Sequence, residues 1–339
     1  MSGRASESAG EAARADGADV GVACNLCGGV DAARLADRSR SGAPLRTVIC
    51  RRCGLVWSDP RPHDARAFYE ESYRLSYKGT LTPKLKHVHR AGLTALSRLE
   101  RLRALLPPSG AALLDVGSGG GEFVHLMSRL GWQAEGIEPN RGYAEYSRRE
   151  LGLAVEVGFV QDARLTPDRF DVITVWHVLE HTEDPSETLA RLFRALRPGG
   201  LLAVEVPNVL SASQSPRSAF HEAHLFNFCP ATLRQLAVKN GFRPLGADLS
   251  ADGGNVLLTA RKPAAGEGPP VPEPPEPANF RLIYDFVTGR SALRHALTPW
   301  PYVRLLGRLR RTAIEAFEAP RLAKAGGRRA LLDGLYAGL

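Results

Sequence analysis

The chain alternates short apolar runs with longer amphipathic stretches between residues 111 and 262. Apolar runs of this length, bounded by glycine, proline and polar residues, predict buried strands, and the amphipathic stretches predict helices. One predicted helix spans 185–197, since it begins after an Asp-Pro pair and ends at Pro-Gly-Gly. The predicted strands are 111–116, 133–138, 153–157, 170–176, 200–206, 242–248 and 255–261.

The order of these elements predicts an α/β fold. Regular alternation of strand and helix is typical of a mainly parallel sheet with helices on both faces. The last two apolar runs are different, because only a turn at 250–254 separates them. That turn is too short for a helical crossover, so these two runs are predicted to form an antiparallel hairpin.

The composition is that of a globular protein, with 44% hydrophobic and 24% charged residues in 339. No apolar run is long enough to span a bilayer, and the N-terminus contains no apolar segment of the signal-peptide type. We therefore expect a cytoplasmic protein with reduced cysteines. The net charge of +8 is concentrated in residues 281–339, which hold eleven Arg or Lys and four Asp or Glu. A nucleic-acid-binding surface over the whole protein is therefore not expected.

Four of the five cysteines form two Cys-x-x-Cys pairs, Cys24 with Cys27 and Cys50 with Cys53. In a reducing compartment this spacing predicts four thiolate ligands around one zinc ion. Four protein ligands leave no open position, so the metal is expected to be structural. The alternative is two redox dithiols, for which the sequence lacks a thioredoxin-like context.

The composition divides the chain into six segments. The first segment consists mainly of small, polar and charged residues and is predicted to be disordered. A leucine- and arginine-rich helix is predicted at 84–107, where two prolines end it. The predicted segments are 1–20 (disordered), 21–62 (zinc ribbon), 63–110 (connector and helix), 111–262 (α/β core), 263–279 (proline-rich linker) and 280–339 (basic helical tail).

A glycine-dense turn follows the first predicted strand, and an acid ends the second. The first strand runs into Asp-Val-Gly-Ser-Gly-Gly-Gly-Glu, and the second ends in Gly-Ile-Glu. This is the order of parts in a nucleotide-binding β-α-β unit, in which the glycines allow close approach and the acid binds ribose hydroxyls. The alternative is an ordinary strand-turn-helix without a ligand. The candidate cofactor-binding residues in this unit are Asp115, Gly117, Ser118, Gly119, Gly121 and Glu138.

The sequence Asp-x-Gly-x-Gly-x-Gly at residues 115–121 resembles the first motif of class I S-adenosylmethionine (SAM)-dependent methyltransferases. A dinucleotide site would have a further glycine where this chain has Glu122. The resemblance implies a Rossmann-like methyltransferase fold, with a mainly parallel seven-stranded sheet and a terminal antiparallel hairpin. It also implies SAM as cofactor, with room for its methionine part at the glycine turn and its ribose held by Glu138.

Two arrangements of the contacts to adenine are consistent with the sequence. Many relatives place an acid directly after the glycine that follows the third strand, whereas this chain has Phe159 after Gly158. Either Phe159 and Val160 sandwich the base, or Asp162 supplies the hydrogen-bond acceptor.

The fourth strand is followed by His-Val-Leu-Glu-His, residues 177–181. This segment resembles a signature of one branch of class I methyltransferases, near the methyl-donor end of the pocket. The resemblance places His177 beside the methionyl part of SAM and His181 at the start of the next helix. The alternative is that both histidines are packing or capping residues.

A second histidine-rich segment, Phe-His-Glu-Ala-His, spans residues 220–224. A histidine, or a histidine with a carboxylate, can remove a proton from an acceptor hydroxyl or acidic carbon. We predict His224 as the base, with Glu222 or His221 orienting it and His181 as a further candidate. The alternative is an aromatic lid with surface histidines.

This segment is similar to the His-Glu-His region of bacterial sugar C-methyltransferases, which also carry a four-cysteine zinc module. The present chain has an extra alanine and a much shorter C-terminal region. The resemblance therefore indicates a methyltransferase with a zinc module and does not identify its substrate. It implies that Tyr69, Tyr73 or Tyr77 covers the active site, although their spacing also fits a packing stripe.

The C-terminal tail combines arginines with apolar residues at helical spacing. We expect it to pack on the core or on a partner subunit; binding to an anionic membrane surface is the alternative.

Three functions follow from these features. The first is SAM-dependent C- or O-methyl transfer to a small or carrier-linked acceptor, such as a sugar, polyketide-like or cell-envelope precursor. The second is RNA methylation, because residues 31–66 hold eight Arg and four Asp. The strand-four motif argues against it, since it lacks the Asn/Asp-Pro-Pro-aromatic arrangement often used for base amines. The third is a catalytically inactive zinc-containing assembly protein, which would not need the glycine turn and Glu138.

Overall fold

The computed structural model describes residues 17–18, 21–60, 82–324 and 326–339. Tyr69, Tyr73 and Tyr77, one of which was predicted to cover the active site, lie outside these residues. The described strands are β1 (Gly17–Ala18), β2 (Ala32–Arg38), β3 (Pro44–Cys50), β4 (Val56–Ser58), β5 (Ala112–Val116), β6 (Gln133–Glu138), β7 (Ala154–Val157), β8 (Phe170–Trp176), β9 (Leu196–Pro207), β10 (Phe226–Asn227), β11 (Arg243–Leu249) and β12 (Asn255–Arg261). The described helices are α1 (Leu85–Leu102), α2 (Glu122–Arg129), α3 (Arg141–Leu151), α4 (Pro185–Ala195), α5 (Pro230–Lys239), α6 (Pro277–Thr288), α7 (Ala292–Ala296), α8 (Trp300–Ala323) and α9 (Arg328–Leu335).

A seven-stranded sheet forms the centre of the fold, in the order β11-β12-β9-β8-β5-β6-β7. The pairs β5–β6, β5–β8, β6–β7 and β8–β9 are parallel. The strand β12 is antiparallel to both β9 and β11. This arrangement confirms the predicted Rossmann-like methyltransferase fold with its antiparallel hairpin.

Both faces of the inner strands β5, β8 and β9 are buried, as the unbroken apolar runs predicted. Leu114 and Ile173 lie in the hydrophobic cluster that contains residues of α4 and α5. Their neighbours Leu113 and Val172 lie in the cluster that contains residues of α1 and α2. Since successive strand residues point to opposite faces, β5 and β8 each contribute side chains to the hydrophobic clusters on both faces of the sheet.

The N-terminal module forms a second sheet, with antiparallel strands in the order β1-β2-β3-β4-β10. Its last strand, β10, comes from the chain segment after β9, and pairs Phe226 with Trp57. The module is therefore joined to the core by main-chain hydrogen bonds. Gly17 and Ala18, inside the segment predicted to be disordered, pair with β2.

Some boundaries differ from the prediction. The helix predicted to reach the two prolines ends at Leu102, and a 3-10 turn at Arg103–Leu105 continues it. The strand β9 begins at Leu196, which pairs with Phe170 of β8. The Pro-Gly-Gly segment after α4 forms an irregularity, with a φ of +81° at Gly199, before regular pairing with β8 resumes at Leu201.

The C-terminal helices differ in how they pack. Helix α9 docks as expected, since Leu331 and Leu332 are buried in the cluster that contains residues of α1. Close approach requires Gly92 in α1, because a Cβ there would lie 2.7 Å from Leu335 Cδ2. Helix α8 instead exposes several large apolar side chains. Among the described helices, none is both long and apolar enough to cross a membrane.

Candidate active site

The glycine turn connects β5 to α2 at the carboxyl edge of the sheet. The backbone amides of Gly117 and Ser118 both donate to the Ile137 carbonyl of β6, at 2.8 and 3.0 Å. Gly117 has a φ of +72°, and a Cβ there would lie 2.3 Å from Val178 Cγ2. Only glycine satisfies both conditions. Gly119 and Gly121 also have positive φ, and Gly121 is the N-terminal cap of α2.

Glu138 ends β6 and holds this turn in place. The Gly119 amide donates to Glu138 Oε2 at 2.8 Å, and the Asn140 amide donates to Glu138 Oε1 at 3.0 Å. The side chain is 2% exposed. A buried carboxylate with two acceptor oxygens at this position suits ribose hydroxyls.

Asp115 and Ser118 lie beneath the turn. Thr174 donates its hydroxyl to Asp115 Oδ1 at 2.7 Å, and burial raises the pKa of Asp115 to about 6. Ser118 is buried, and its Oγ has no hydrogen-bond partner among the residues that the structure describes. A buried hydroxyl without a partner fits a pocket that a polar ligand completes.

The segment after β7 lies next to Glu138. The Gly158 amide donates to the Glu138 carbonyl at 3.1 Å. Val160 is buried in the hydrophobic core, whereas Phe159 is half-buried and Asp162 is exposed. Of the three candidate adenine contacts, Phe159 and Asp162 therefore offer accessible side-chain surface.

His177 follows β8 with a φ of +56°, an unusual conformation for a residue with a side chain. Its Nε2 lies 3.2 Å from Glu205 Oε1 of β9, and its Nδ1 lies 3.4 Å from Glu180 Oε1. Burial alone would lower the pKa of His177, but the two carboxylates outweigh burial and raise it to about 9. The ring is therefore an imidazolium at neutral pH.

Two arginines of α1 complete this charged group. Arg101 forms an ion pair with Glu205. Burial opposes ionisation of Glu205, yet His177 and Arg101 lower its pKa to about 2. The Arg98 guanidinium lies 4.4 Å from the centre of the Trp176 ring. We did not predict either arginine as a site residue, because no sequence spacing connects α1 with the end of β9. The sequence signal for this group is Glu205, an acid near the end of a buried strand.

Three histidines meet although two chain segments supply them. The His181 and His224 rings contact edge to face at 4.8 Å, and the His221 and His224 rings stack at 4.9 Å. The backbone of Ala223 fixes two of them: His181 Nδ1 donates to its carbonyl at 2.6 Å, and its amide donates to His221 Nδ1 at 2.9 Å. The backbone of Ala223, the extra alanine of this segment, thus orients the His181 and His221 rings.

These histidines are neutral acceptors at pH 7. Burial, then the neighbouring histidines, hold the pKa of His224 well below its ordinary 6.5. Burial, then Arg40, lower the pKa of His221 to about 4. Burial also lowers the pKa of His181.

Glu180 supplies a carboxylate to the same cluster. It is 1% exposed, and within residues 82–324 neither of its oxygens receives a hydrogen bond. Its Oε1 lies 3.6 Å from His181 Nε2. Donor atoms of Glu180, His181 and His224 lie within 4.8 Å of one another. This group can therefore share a proton or a divalent cation.

Glu222 faces the N-terminal module. It accepts hydrogen bonds from the Ser39 and Ser41 hydroxyls, and its Oε2 lies 3.6 Å from His221 Nδ1. Burial opposes ionisation of Glu222, but the two serines lower its pKa to about 2. Glu222 is thus placed to act on His224 only through His221.

The four paired cysteines form one compact cluster in the N-terminal module. Cys24 Sγ lies 3.5 Å from Cys53 Sγ, and Cys27 Sγ lies 3.5 Å from Cys50 Sγ. All four sulfurs lie within 4.8 Å of one another. A tetrahedron with Zn–S bonds of about 2.3 Å places sulfurs about 3.8 Å apart, so the donor set fits zinc.

Comparison with known proteins gives the class of the central domain. Residues 87–246, just under half of the chain, match the family model described as "Methyltransferase domain". The ubiquinone biosynthesis O-methyltransferase of Xanthomonas axonopodis pv. citri is 37% identical over 117 residues, covering 33% of this chain and 49% of the relative. The protein of the same name from Proteus mirabilis is 32% identical over 127 residues, covering 35% and 51%. The chain thus spans about half the length of the curated relatives it matches.

Solved structures with a similar fold are more distant. A SAM-dependent methyltransferase of Thermotoga maritima, described as a possible histamine N-methyltransferase, is 21% identical, with a TM-score of 0.44 and coverage of 58% of this chain and 99% of the other. Phosphoethanolamine N-methyltransferase 2 of Haemonchus contortus is 15% identical, with a TM-score of 0.46 and coverage of 61% and 63%. The strand order is that of a Rossmann-like methyltransferase fold, and residues 87–246 within it match the model of a methyltransferase domain.

Proposed function

We propose that this protein transfers a methyl group from SAM to a hydroxyl of a small or carrier-linked acceptor. The observation that carries the proposal is the position of Glu138 against the glycine turn, with neutral histidines near the same edge of the sheet. Oxygen is favoured over carbon as the methyl acceptor because the matched relatives are named O-methyltransferases.

The cofactor would be held by residues at the carboxyl edge of β5, β6 and β8. Glu138 accepts from the ribose, the glycine turn accommodates the methionine part, and Phe159 or Asp162 contacts adenine. His177, as an imidazolium, favours the methionyl carboxylate by its charge. Bound SAM supplies an activated methyl group on a sulfonium sulfur.

His224 would act as the general base towards the acceptor. A neutral imidazole can accept the hydroxyl proton, and the contacts with His181 and His221 fix its ring. Buried Glu180 lies in the same cluster and can stabilise the resulting positive charge. Glu222 is a positioning residue in this scheme, since it reaches His224 through His221.

An assay with methyl-labelled SAM and a panel of acceptors tests this function. The panel contains phenols, enols, sugars, carrier-linked sugars and RNA, each with and without a chelator. We expect label in a small or carrier-linked acceptor, at oxygen when the product is examined by NMR. Label at carbon would overturn the choice of oxygen, and label in RNA would overturn the choice of acceptor.

RNA methylation is less well supported by the N-terminal module. Two of its arginines are engaged by acids within the module: Arg46 pairs with Asp59 at 2.8 Å, and Arg51 with Asp31 at 3.3 Å. Arginines already paired with carboxylates contribute less to phosphate binding.

We further propose that the cysteine cluster binds one structural zinc ion. Metal binding then contributes directly to folding of the module. Wild-type protein should contain one zinc per chain by elemental analysis, whereas Cys53→Ala should lose the metal and show a lower melting temperature. Cys229→Ala is the matched control, because Cys229 is buried outside the cluster. Full zinc content in Cys53→Ala would contradict the proposal.

A further inference from the structure

Helix α8 exposes an apolar stripe to solvent. Tyr302, Leu306 and Phe317 are 60%, 65% and 88% exposed, and Leu305 and Leu309 are also more than half exposed. Their spacing places all five on one side of the helix. A contiguous exposed apolar surface of this kind indicates a docking surface.

The opposite side of α8 faces the protein and is polar. Glu315 pairs with Arg90 of α1, and Glu318 lies 3.3 Å from His89 Nδ1 of α1. Nearer the start of the helix, Arg304 donates to the Ser213 carbonyl at 3.1 Å. Helix α8 therefore differs from a helix that packs on a hydrophobic core, because its polar side faces the protein and its apolar side faces solvent.

The exposed side is also basic. The first half of α8, residues 300–311, contains four arginines and no acid. Arg308 and Arg310 lie at opposite edges of the stripe by helical periodicity. Within residues 82–324, neither forms an ion pair with a carboxylate. An apolar face bordered by arginines fits an anionic lipid surface.

The helix is fastened to the loop that leads from β9 to the histidine cluster. Arg304 of α8 donates to the Ser213 carbonyl of this loop. Arg290, which lies between α6 and α7, donates to the carbonyls of Ser211 and Ala212 at 3.1 and 3.2 Å. This loop continues into His221 and His224. Whatever α8 docks on is therefore connected directly to the proposed acceptor side of the site.

We propose that α8 binds the surface of an anionic membrane through its apolar stripe, with Arg308 and Arg310 contacting lipid headgroups. A second copy of the chain fits less well, because a twofold contact between two stripes would bring the arginine borders together. Tyr302 at the start of the helix, 60% exposed, suits the interface between headgroups and acyl chains. The inference does not depend on methyl transfer.

Flotation of the full chain with lipid vesicles tests this proposal. One set of vesicles is phosphatidylcholine alone, and the other also contains phosphatidylglycerol. We expect flotation with the anionic vesicles only, weakened by added salt. Leu306→Glu/Leu309→Glu and, separately, Arg308→Glu/Arg310→Glu should each weaken it by about tenfold or more.

The matched controls are Leu282→Glu and Arg281→Glu on α6, which change an exposed leucine and an exposed arginine outside the stripe. Both controls should float like the wild type, and all variants should keep its melting temperature. Equal flotation with both kinds of vesicle, or flotation unaffected by the α8 substitutions, would overturn the proposal. So would a dimer in sedimentation experiments that Leu306→Glu/Leu309→Glu dissociates, with no flotation of the wild type.

Discussion

Replacing Glu138 by alanine should weaken SAM binding by about a hundredfold or more. Each hydrogen bond to an ionised carboxylate contributes about 1.5–3 kcal/mol, and two ribose hydroxyls would lose their acceptor. The substitution also frees the amides of Gly119 and Asn140, so the turn loses the carboxylate that orders it. The measurement is isothermal titration of the variant with SAM.

The control for this prediction comes from the same strand. Glu135→Gln changes an acid of β6 that forms an ion pair with Arg169 away from the turn. We expect normal SAM binding in this variant and an unchanged melting temperature. Unchanged SAM binding in folded Glu138→Ala would show that the ribose is held elsewhere.

Replacing His224 by alanine should lower the rate of methyl transfer by about 10²–10⁴-fold, the usual contribution of a general base. SAM binding should change little, because His224 contacts the other histidines and is not assigned to the cofactor. His221→Gln should cause a smaller loss, since His221 acts by positioning the ring. The control is His89→Ala on α1, which lies outside the histidine cluster.

The pH profile provides an independent check on this base. Protonation of His224 at low pH would remove its ability to accept a proton. Because burial holds its pKa well below 6.5, the acid limb of kcat/KM should lie below pH 6.5. An acid limb above pH 6.5, or one that persists in His224→Ala, would assign the base to another group.

The sequence predicted the parts of the fold that depend on local patterns. The inner strands β5, β8 and β9 were recognisable because a short apolar run in a parallel sheet is buried on both faces. The short turn at 250–254 was enough to predict the hairpin of β11 and β12. The glycine turn and Glu138 were recognisable because β5 and β6 are adjacent, which brings the ends of the two strands together.

The sequence did not predict contacts between distant segments. Arg101 and Glu205 are far apart in the chain, and only the packing of α1 brings them together. The same holds for Ser39 and Glu222, which meet because β10 extends the sheet of the N-terminal module. The orientation of α8 was also unpredictable, because an amphipathic pattern does not say which side faces the protein.

The most direct test of the central claim is isothermal titration of the folded 339-residue chain with SAM and with its demethylated product. We predict one site per chain with micromolar affinity for SAM, and competition between the two compounds. No binding of either compound by a folded, zinc-loaded chain would contradict the assignment as a SAM-dependent methyltransferase.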